Sequence, residues 1–303
     1  MSDWFKPWQT TGDDDYAVRI RPGDPGWAHT GLLVADLAPG ESREIATGEH
    51  EFVVVPLACE AAVVETGGAA YELEGRPSVF AGPADCLYVG RDATFTVTAP
   101  RGGRIALCHA TARSAFPVKH LRKAEIPVEL RGAGQASRQV QNFGTPDVLD
   151  ADSIIACEVI TPAGNWSSYP PHKHDEERSG EETALEEIYY FEIQVEQGGG
   201  PGGDSGGPGR DDVAPDPIGY QRVYGTDKRP IDVLAEVRSG DVVLVPHGWH
   251  GPAMAPTGYD MYYLNVMAGP GEQRAWLICD DPAHAWVRGT WDAQPVDPRL
   301  PFS

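Results

Sequence analysis

The 303-residue chain is 41% hydrophobic and 23% charged, with a formal net charge of −21. That is ordinary globular usage over a length that suits about two domains, and without a Lys/Arg cluster it excludes a protein that must neutralise nucleic-acid phosphates. The 35 glycines and 27 prolines, about a fifth of the chain against an average near 12%, exclude a helical bundle, and an anionic ligand would need a local cation or metal acting against the overall field.

The opening Met1 to Asp15 is polar and acidic, with no signal-peptide core. Apolar runs such as Phe52 to Pro56 and Val242 to Pro246 fall far short of the ~20 residues of a membrane span, so no membrane partner is expected. Strand-like segments rich in Val, Ile, Tyr and Phe follow at Phe52–Leu57, Ala61–Glu65, Cys86–Val89, Thr94–Thr98 and Ile105–His109. A basic stretch without strand pattern, Arg113–Ala136, reads as a linker. Further strands are expected at Ile154–Ile160, Glu187–Val195, Val242–Val245 and Tyr262–Met267, with short helices near Thr183–Leu185 and Pro282–Trp286. The Gly/Pro-rich segment 197–217 has almost nothing apolar to offset its ordering entropy and reads as a flexible inserted loop. The pattern predicts an all-β sandwich or barrel. Cys59, Cys86, Cys108, Cys157 and Cys279 form no CxxC and read as free thiols of a cytoplasmic protein.

A weak internal repeat sets Ala84-Asp85-Cys86-Leu87-Tyr88-Val89 against Gly240-Asp241-Val242-Val243-Leu244-Val245, an offset of about half the chain. The chemistry concentrates in the second copy. His172 and His174, two apart, place both imidazoles on one face of a strand, a common start to a site for Zn, Mn, Fe, Ni or Cu. Of the adjacent Glu186 and Glu187, Glu187 shares its parity with Phe191, Ile193 and Val195. It is therefore expected to point inward, where a buried carboxylate needs a cation. After the strand ending at Pro246, His250 and His247 compete as a further ligand. His250 is favoured because the turn should carry His247 outside. Thr94 matches His250 in the first half, which also lacks an HxH, so one half is expected to hold metal and the other to keep only the architecture.

HxH, then a Glu opening a strand, then a lone His after a Gly-Asp…Pro turn, is the ligand order of the cupin superfamily. The segments Asn165–Asp175, Leu185–Phe191, Gln221–Tyr224, Gly240–His250, Tyr259–Pro270 and Asp281–Trp286 resemble the 5-deoxy-glucuronate isomerases of myo-inositol catabolism, a bicupin family. The resemblance implies two tandem cupin (double-stranded β-helix, jelly-roll) domains, residues 1–120 without ligands and 121–303 with them. It implies one divalent ion (Zn, Mn, Fe or Ni) on His172, His174, Glu187 and His250, and conversion of 5-deoxy-D-glucuronate to 5-dehydro-2-deoxy-D-gluconate through an enediol. A metal-bound hydroxide, Glu186, Asp175 and Tyr263 are the candidate bases. Arg222 is the expected grip on the substrate carboxylate, with Lys173 at the rim or on substrate and Asn265 at the sugar hydroxyls. A cupin dioxygenase, another sugar-acid isomerase and a non-enzymatic sugar-binding bicupin are the competing readings, and a homo-oligomer is left open.

Overall fold

The computed structural model describes residues 3–196 and 214–302. Most of the loop expected over 197–217 lies outside the described residues. The chain is all-β, and its strands stack as four layers. Strands Thr30–Leu37, Cys86–Val89, Gly103–Thr111 and the first part of His50–Thr66 form one layer, flanked by Val18–Ile20 and Lys119–Leu121. The second part of His50–Thr66 pairs with Ala69–Arg76 and Thr94–Ala99, and Thr94–Ala99 with Glu41–Ala46. In the second half, Val128–Arg131, Arg138–Gly144, Ile155–Thr161, Tyr259–Ala268, Glu186–Val195 and Val242–Val245 form a sheet, with Phe5–Lys6 at its edge. Gly219–Tyr224, Asp232–Val237, Trp249–Met254, Trp166–Ser167, His172–Lys173 and Cys279–Asp280 form the fourth layer.

Burial explains the sequence pattern. The two outer layers bury one face only, so Asp232–Val237 alternates exposed and buried residue by residue. The two inner layers are covered on both faces, so Glu186–Val195 and Tyr259–Ala268 read as near-continuous apolar runs. One parity of these inner strands fills a barrel: Leu33, Phe52, Val54 and Leu107 in the first half, Tyr189, Phe191, Met261 and Tyr263 in the second. The other parity joins the halves in a shared core: Val53, Val55, Cys108, Ile188, Tyr190, Tyr262 and Leu264.

Polar groups pin this shared core. Arg76 and Glu158 form a fully buried ion pair across it. Tyr262 donates to the Glu158 carboxylate at 2.6 Å, and Arg76 donates to the Gly82 carbonyl at 2.6 Å. Two further carboxylates act reciprocally. Glu51 accepts the backbone N–H groups of Asp152, Ser153 and Ile154 at 2.7–2.9 Å. Glu186 accepts those of Ala28, His29 and Thr30 at 2.5–3.0 Å. Each half thus fixes the entry of a strand in the other.

Three local expectations are corrected. Phe52–Leu57 and Ala61–Glu65 are one continuous strand; the ladder shifts register between Pro56 and Ala58, so what reads as a break is a corner. Arg113–Ala136 holds strands Lys119–Leu121 and Val128–Arg131, because pairing to Cys86–Tyr88 and Arg138–Gln141 supplies what local propensity does not. Thr183–Leu185 is irregular, whereas a 3₁₀ helix spans Ala285–Ala293. All five cysteines are unpaired, four of them buried. Among the described residues no helix is long and apolar enough to cross a membrane.

Candidate active site

His172 and His250 face each other across paired strands of the outer layer, with ring centroids 4.4 Å apart. His174 lies 4.6 Å from His250. It sits just past the short strand, where the Leu185 N–H donates to its carbonyl at 2.8 Å. Glu187 reaches the same point from the inner layer, its Oε2 3.1 Å from Nε2 of both His174 and His250. The cluster therefore closes one mouth of the second barrel between its two sheets. Gly251, at φ +97°, permits this approach: a Cβ there would lie 1.8 Å from the Ser168 carbonyl oxygen.

The hydrogen bonds orient the imidazoles. Nδ1 of His174 is 3.2 Å from the Leu185 carbonyl, and Nδ1 of His250 is 3.1 Å from the Gly248 carbonyl. A carbonyl only accepts, so each Nδ1 carries a hydrogen and each ring turns its Nε2 toward the cluster, that of His174 meeting the Glu187 carboxylate. Nε2 of His250 is buried and, although close to Glu187, makes no hydrogen bond of proper geometry. Ligand atoms of His172, His174 and His250 lie within 4.8 Å of one another, a group that could bind a metal ion. Three imidazoles gathered beside a buried carboxylate are a donor set that fits a divalent cation.

The charges of the cluster are coupled through Glu187. Burial raises the Glu187 pKa, but the imidazoles of His174 and His250 outweigh it and hold it at about 2. Burial pushes His172 well below the usual imidazole range, reinforced by His250 and His174. For His174 the burial effect is overcome by the hydrogen bond to Glu187, and its pKa is raised.

His172 and Glu187 open onto a cavity of about 220 Å³ that is also lined by Ser168, Tyr189, Tyr263, Asn265, Trp276 and three arginines, Arg131, Arg138 and Arg288. This is below the roughly 300–1,000 Å³ of drug-sized sites and suits a small polar molecule. Ser168 Oγ is 3.2 Å from the hydroxyls of both Tyr189 and Tyr263, forming a short hydroxyl chain. Burial raises both phenols above their usual range, so they stay protonated.

Tyr263 and Asn265 thus lie at the cavity, with Asn265 also donating to the Ile188 carbonyl at 3.3 Å. The other expected residues are not brought there. Glu186 turns to the opposite face and holds the 28–30 backbone. Asp175 is tied to Lys173 at 2.7 Å, to Arg229 at 2.9 Å and to the Gly248 N–H at 2.9 Å. Lys173 also pairs with buried Glu182 at 2.8 Å, away from the cavity. Arg222 pairs with Asp232 and stacks on Tyr224; its strand buries Gly219, Gln221 and Val223 and leaves Arg222 on the outward parity. His247 is half-buried and outside the cluster. The cavity arginines escaped the sequence reading. The signal for one was the parity of Arg138 with inward Val140 on Arg138–Gly144.

A sequence model of the KduI/IolB family matches residues 4–287. A 5-deoxy-glucuronate isomerase of Geobacillus kaustophilus is 38% identical over 95% of this chain and 96% of its own. That of Bacillus subtilis strain 168 is 37% identical over 84% and 86%. Among solved structures, an IolB-like protein from Salmonella typhimurium LT2 superposes with a TM-score of 0.80 and 34% identity, covering 94% of this chain and 99% of that one. Oxalate decarboxylase of Bacillus subtilis, at 11% identity and a TM-score of 0.59 over 92% of this chain and 80% of its own, shares the fold.

Proposed function

The chain belongs to the KduI/IolB family, and on that premise we propose that it is an intramolecular aldose–ketose isomerase converting 5-deoxy-D-glucuronate to 5-dehydro-2-deoxy-D-gluconate. The reaction moves a proton from C2 to C1 and another from O2 to O1, with no net change in composition. The observation that carries this reading is one small cavity where a histidine–carboxylate cluster meets hydroxyl groups and guanidinium groups.

His172, His174, Glu187 and His250 are the residues that would hold a divalent cation, which when bound supplies Lewis-acid polarisation of the substrate carbonyl. The connected hydroxyls of Tyr189, Ser168 and Tyr263 are placed to pass a proton between the two substrate oxygens. Because burial keeps Tyr263 protonated, it serves as a hydrogen-bond donor to the developing charge rather than as the base. Asn265 is the remaining neutral polar side chain of the wall and suits a sugar hydroxyl. The aromatic rings of Trp276, Tyr189 and Tyr263 in the wall limit loss of the migrating proton to water.

Carbon-13 NMR of the protein, supplied in turn with Zn, Mn, Fe or Ni, with 5-deoxy-D-glucuronate tests the assignment. A new ketone carbon that EDTA abolishes is the expected result. Absence of the ketone with every ion, in protein that retains stoichiometric metal, overturns it.

A further inference from the structure

The three arginines of the cavity are not equivalent. Arg131 is neutralised by Glu129, which accepts from its Nε at 2.9 Å and its Nη2 at 2.7 Å. Arg288 is neutralised by Asp280 through the same two-pronged contact, with Nη2 at 2.7 Å from Oδ1. Arg138 has no such partner. Its side chain is buried, 5% exposed, and donates from Nη1 to the Ala136 carbonyl at 2.9 Å. Its guanidinium lies over the Trp291 ring at 5.5 Å. Among the described residues no carboxylate oxygen comes within 4.0 Å of it. Arg138 is thus the one arginine of this wall without a carboxylate of its own, since the remaining carboxylate of the cavity, Glu187, belongs to the histidine cluster, inside a chain of formal net charge −21.

A buried, unpaired guanidinium is costly to maintain unless a ligand completes it. Burial pulls its pKa down to about 10, with Arg131 and Arg288 adding to that. A second donor in the same cavity also waits: the indole N–H of Trp276 is buried with no acceptor. We propose that Arg138 is the specificity-determining anchor for the single carboxylate of a sugar-acid substrate, gripping it with its two-pronged N–H face while Trp276 donates to a neighbouring substrate oxygen. Arg131 and Arg288, each engaged by its own carboxylate, leave the substrate charge to Arg138. This assignment rests on the isomerase reading for the identity of the acid, but the lack of a carboxylate partner for Arg138 stands on its own. It moves the anchor from the outer sheet, where Arg222 points to solvent, to the barrel interior beside His172.

The test separates binding from turnover. Titration calorimetry is run on the full-length, metal-loaded protein with two probes. One is the alditol acid obtained by reducing the aldehyde of 5-deoxy-D-glucuronate to a CH₂OH group; the other is its uncharged carboxamide. The wild type should bind the acid at least about 10-fold more tightly than the amide, as charge-assisted hydrogen bonds imply. Arg138→Gln should weaken the acid by roughly 10–100-fold and the amide by less than about 3-fold. Arg138→Lys, which keeps the charge but loses the fork, should fall between. Equal affinity of the wild type for acid and amide overturns the proposal without any variant having to fold. So does an Arg138→Gln protein that binds the acid like the wild type, or one that loses both probes equally while keeping its metal. Turnover of 5-deoxy-D-glucuronate by the wild type is scored separately: its absence defeats the isomerase reading and leaves the calorimetric result to judge Arg138.

Discussion

The two barrels share a strand plan, and one register position shows how they diverge. Val89 and Val245 are matching positions of the repeat. Phe52 pairs with Val89 and His109, whereas Glu187 pairs with Val245 and Met267. Phe52 therefore stands where Glu187 stands in the other half. Around Phe52 the mouth is closed: His109 stacks on it at 4.8 Å and 11°, and Gly31 leaves room for that ring, since a Cβ there would meet its Nε2 at 2.1 Å. Around Glu187 three imidazoles converge and a cavity opens. A carboxylate at this position demands compensating ligands and keeps polar space; a phenyl ring removes both and seals the core.

The sharpest way to break the contrast is Glu187→Gln. We expect metal content and isomerase turnover to drop by about 100-fold or more, while Phe52→Leu at the matching position leaves bound metal unchanged by elemental analysis and costs less than about 1.5 kcal/mol of stability. Equal metal loss in both variants would show that the two positions do not differ in role.

The contact between the halves comes next. Arg76→Met strands the buried Glu158 and should cost about 3–5 kcal/mol in urea unfolding. Adding Glu158→Leu should recover much of that; a double variant no better than the single one would argue against the pair as the cause.

The reciprocal carboxylates should behave alike. Glu51→Gln and Glu186→Gln each weaken charge-assisted bonds to backbone N–H groups, by about 1.5–3 kcal/mol, with full metal content retained. If Glu186→Gln instead keeps its stability and loses turnover, Glu186 acts in the chemistry despite facing away from the cavity.

The smallest effect is a pH dependence arising from one residue of the first barrel. Burial, aided by His50, pulls His109 down to about 3, against the usual imidazole value of 6.5. Above that value both folded and unfolded chains hold a neutral ring and stability is unaffected. Below it the unfolded chain binds a proton that the folded one refuses, so stability falls as pH drops, by at most about 2 kcal/mol between pH 7 and 5. His109→Phe should remove that increment from the pH dependence of denaturant unfolding; an unchanged acid slope would place the sensitivity elsewhere.

Much of this was legible in the residues because period-2 geometry is local. The HxH spacing, the parity that turned Glu187 inward and the turn that separated His250 from His247 all follow from neighbours a few positions apart. The same alternation could have excluded Arg222, whose outward parity is visible in Gly219–Tyr224; the substrate's need for a cation outweighed it. The cavity arginines were hidden for another reason. Arg131 and Arg138 flank a turn at the end of what reads as a linker, and Arg288 sits on a 3₁₀ helix far along the chain. They share a wall only after sheet pairing and chain return, and no short-range pattern encodes that. The buried Arg76–Glu158 pair is likewise a product of two sheets meeting.

The edge strand Phe5–Lys6 has a bearing on how the molecule is made. It pairs with Val242 and Val243, and the Trp4 carbonyl accepts from the Leu244 N–H at 2.8 Å. At about 5–20 residues per second of synthesis, this early segment waits roughly 10–50 s on the ribosome before its partner strand exists. Its docking is thus a late clasp, closing the catalytic half with a piece made about 240 residues before its partner strand.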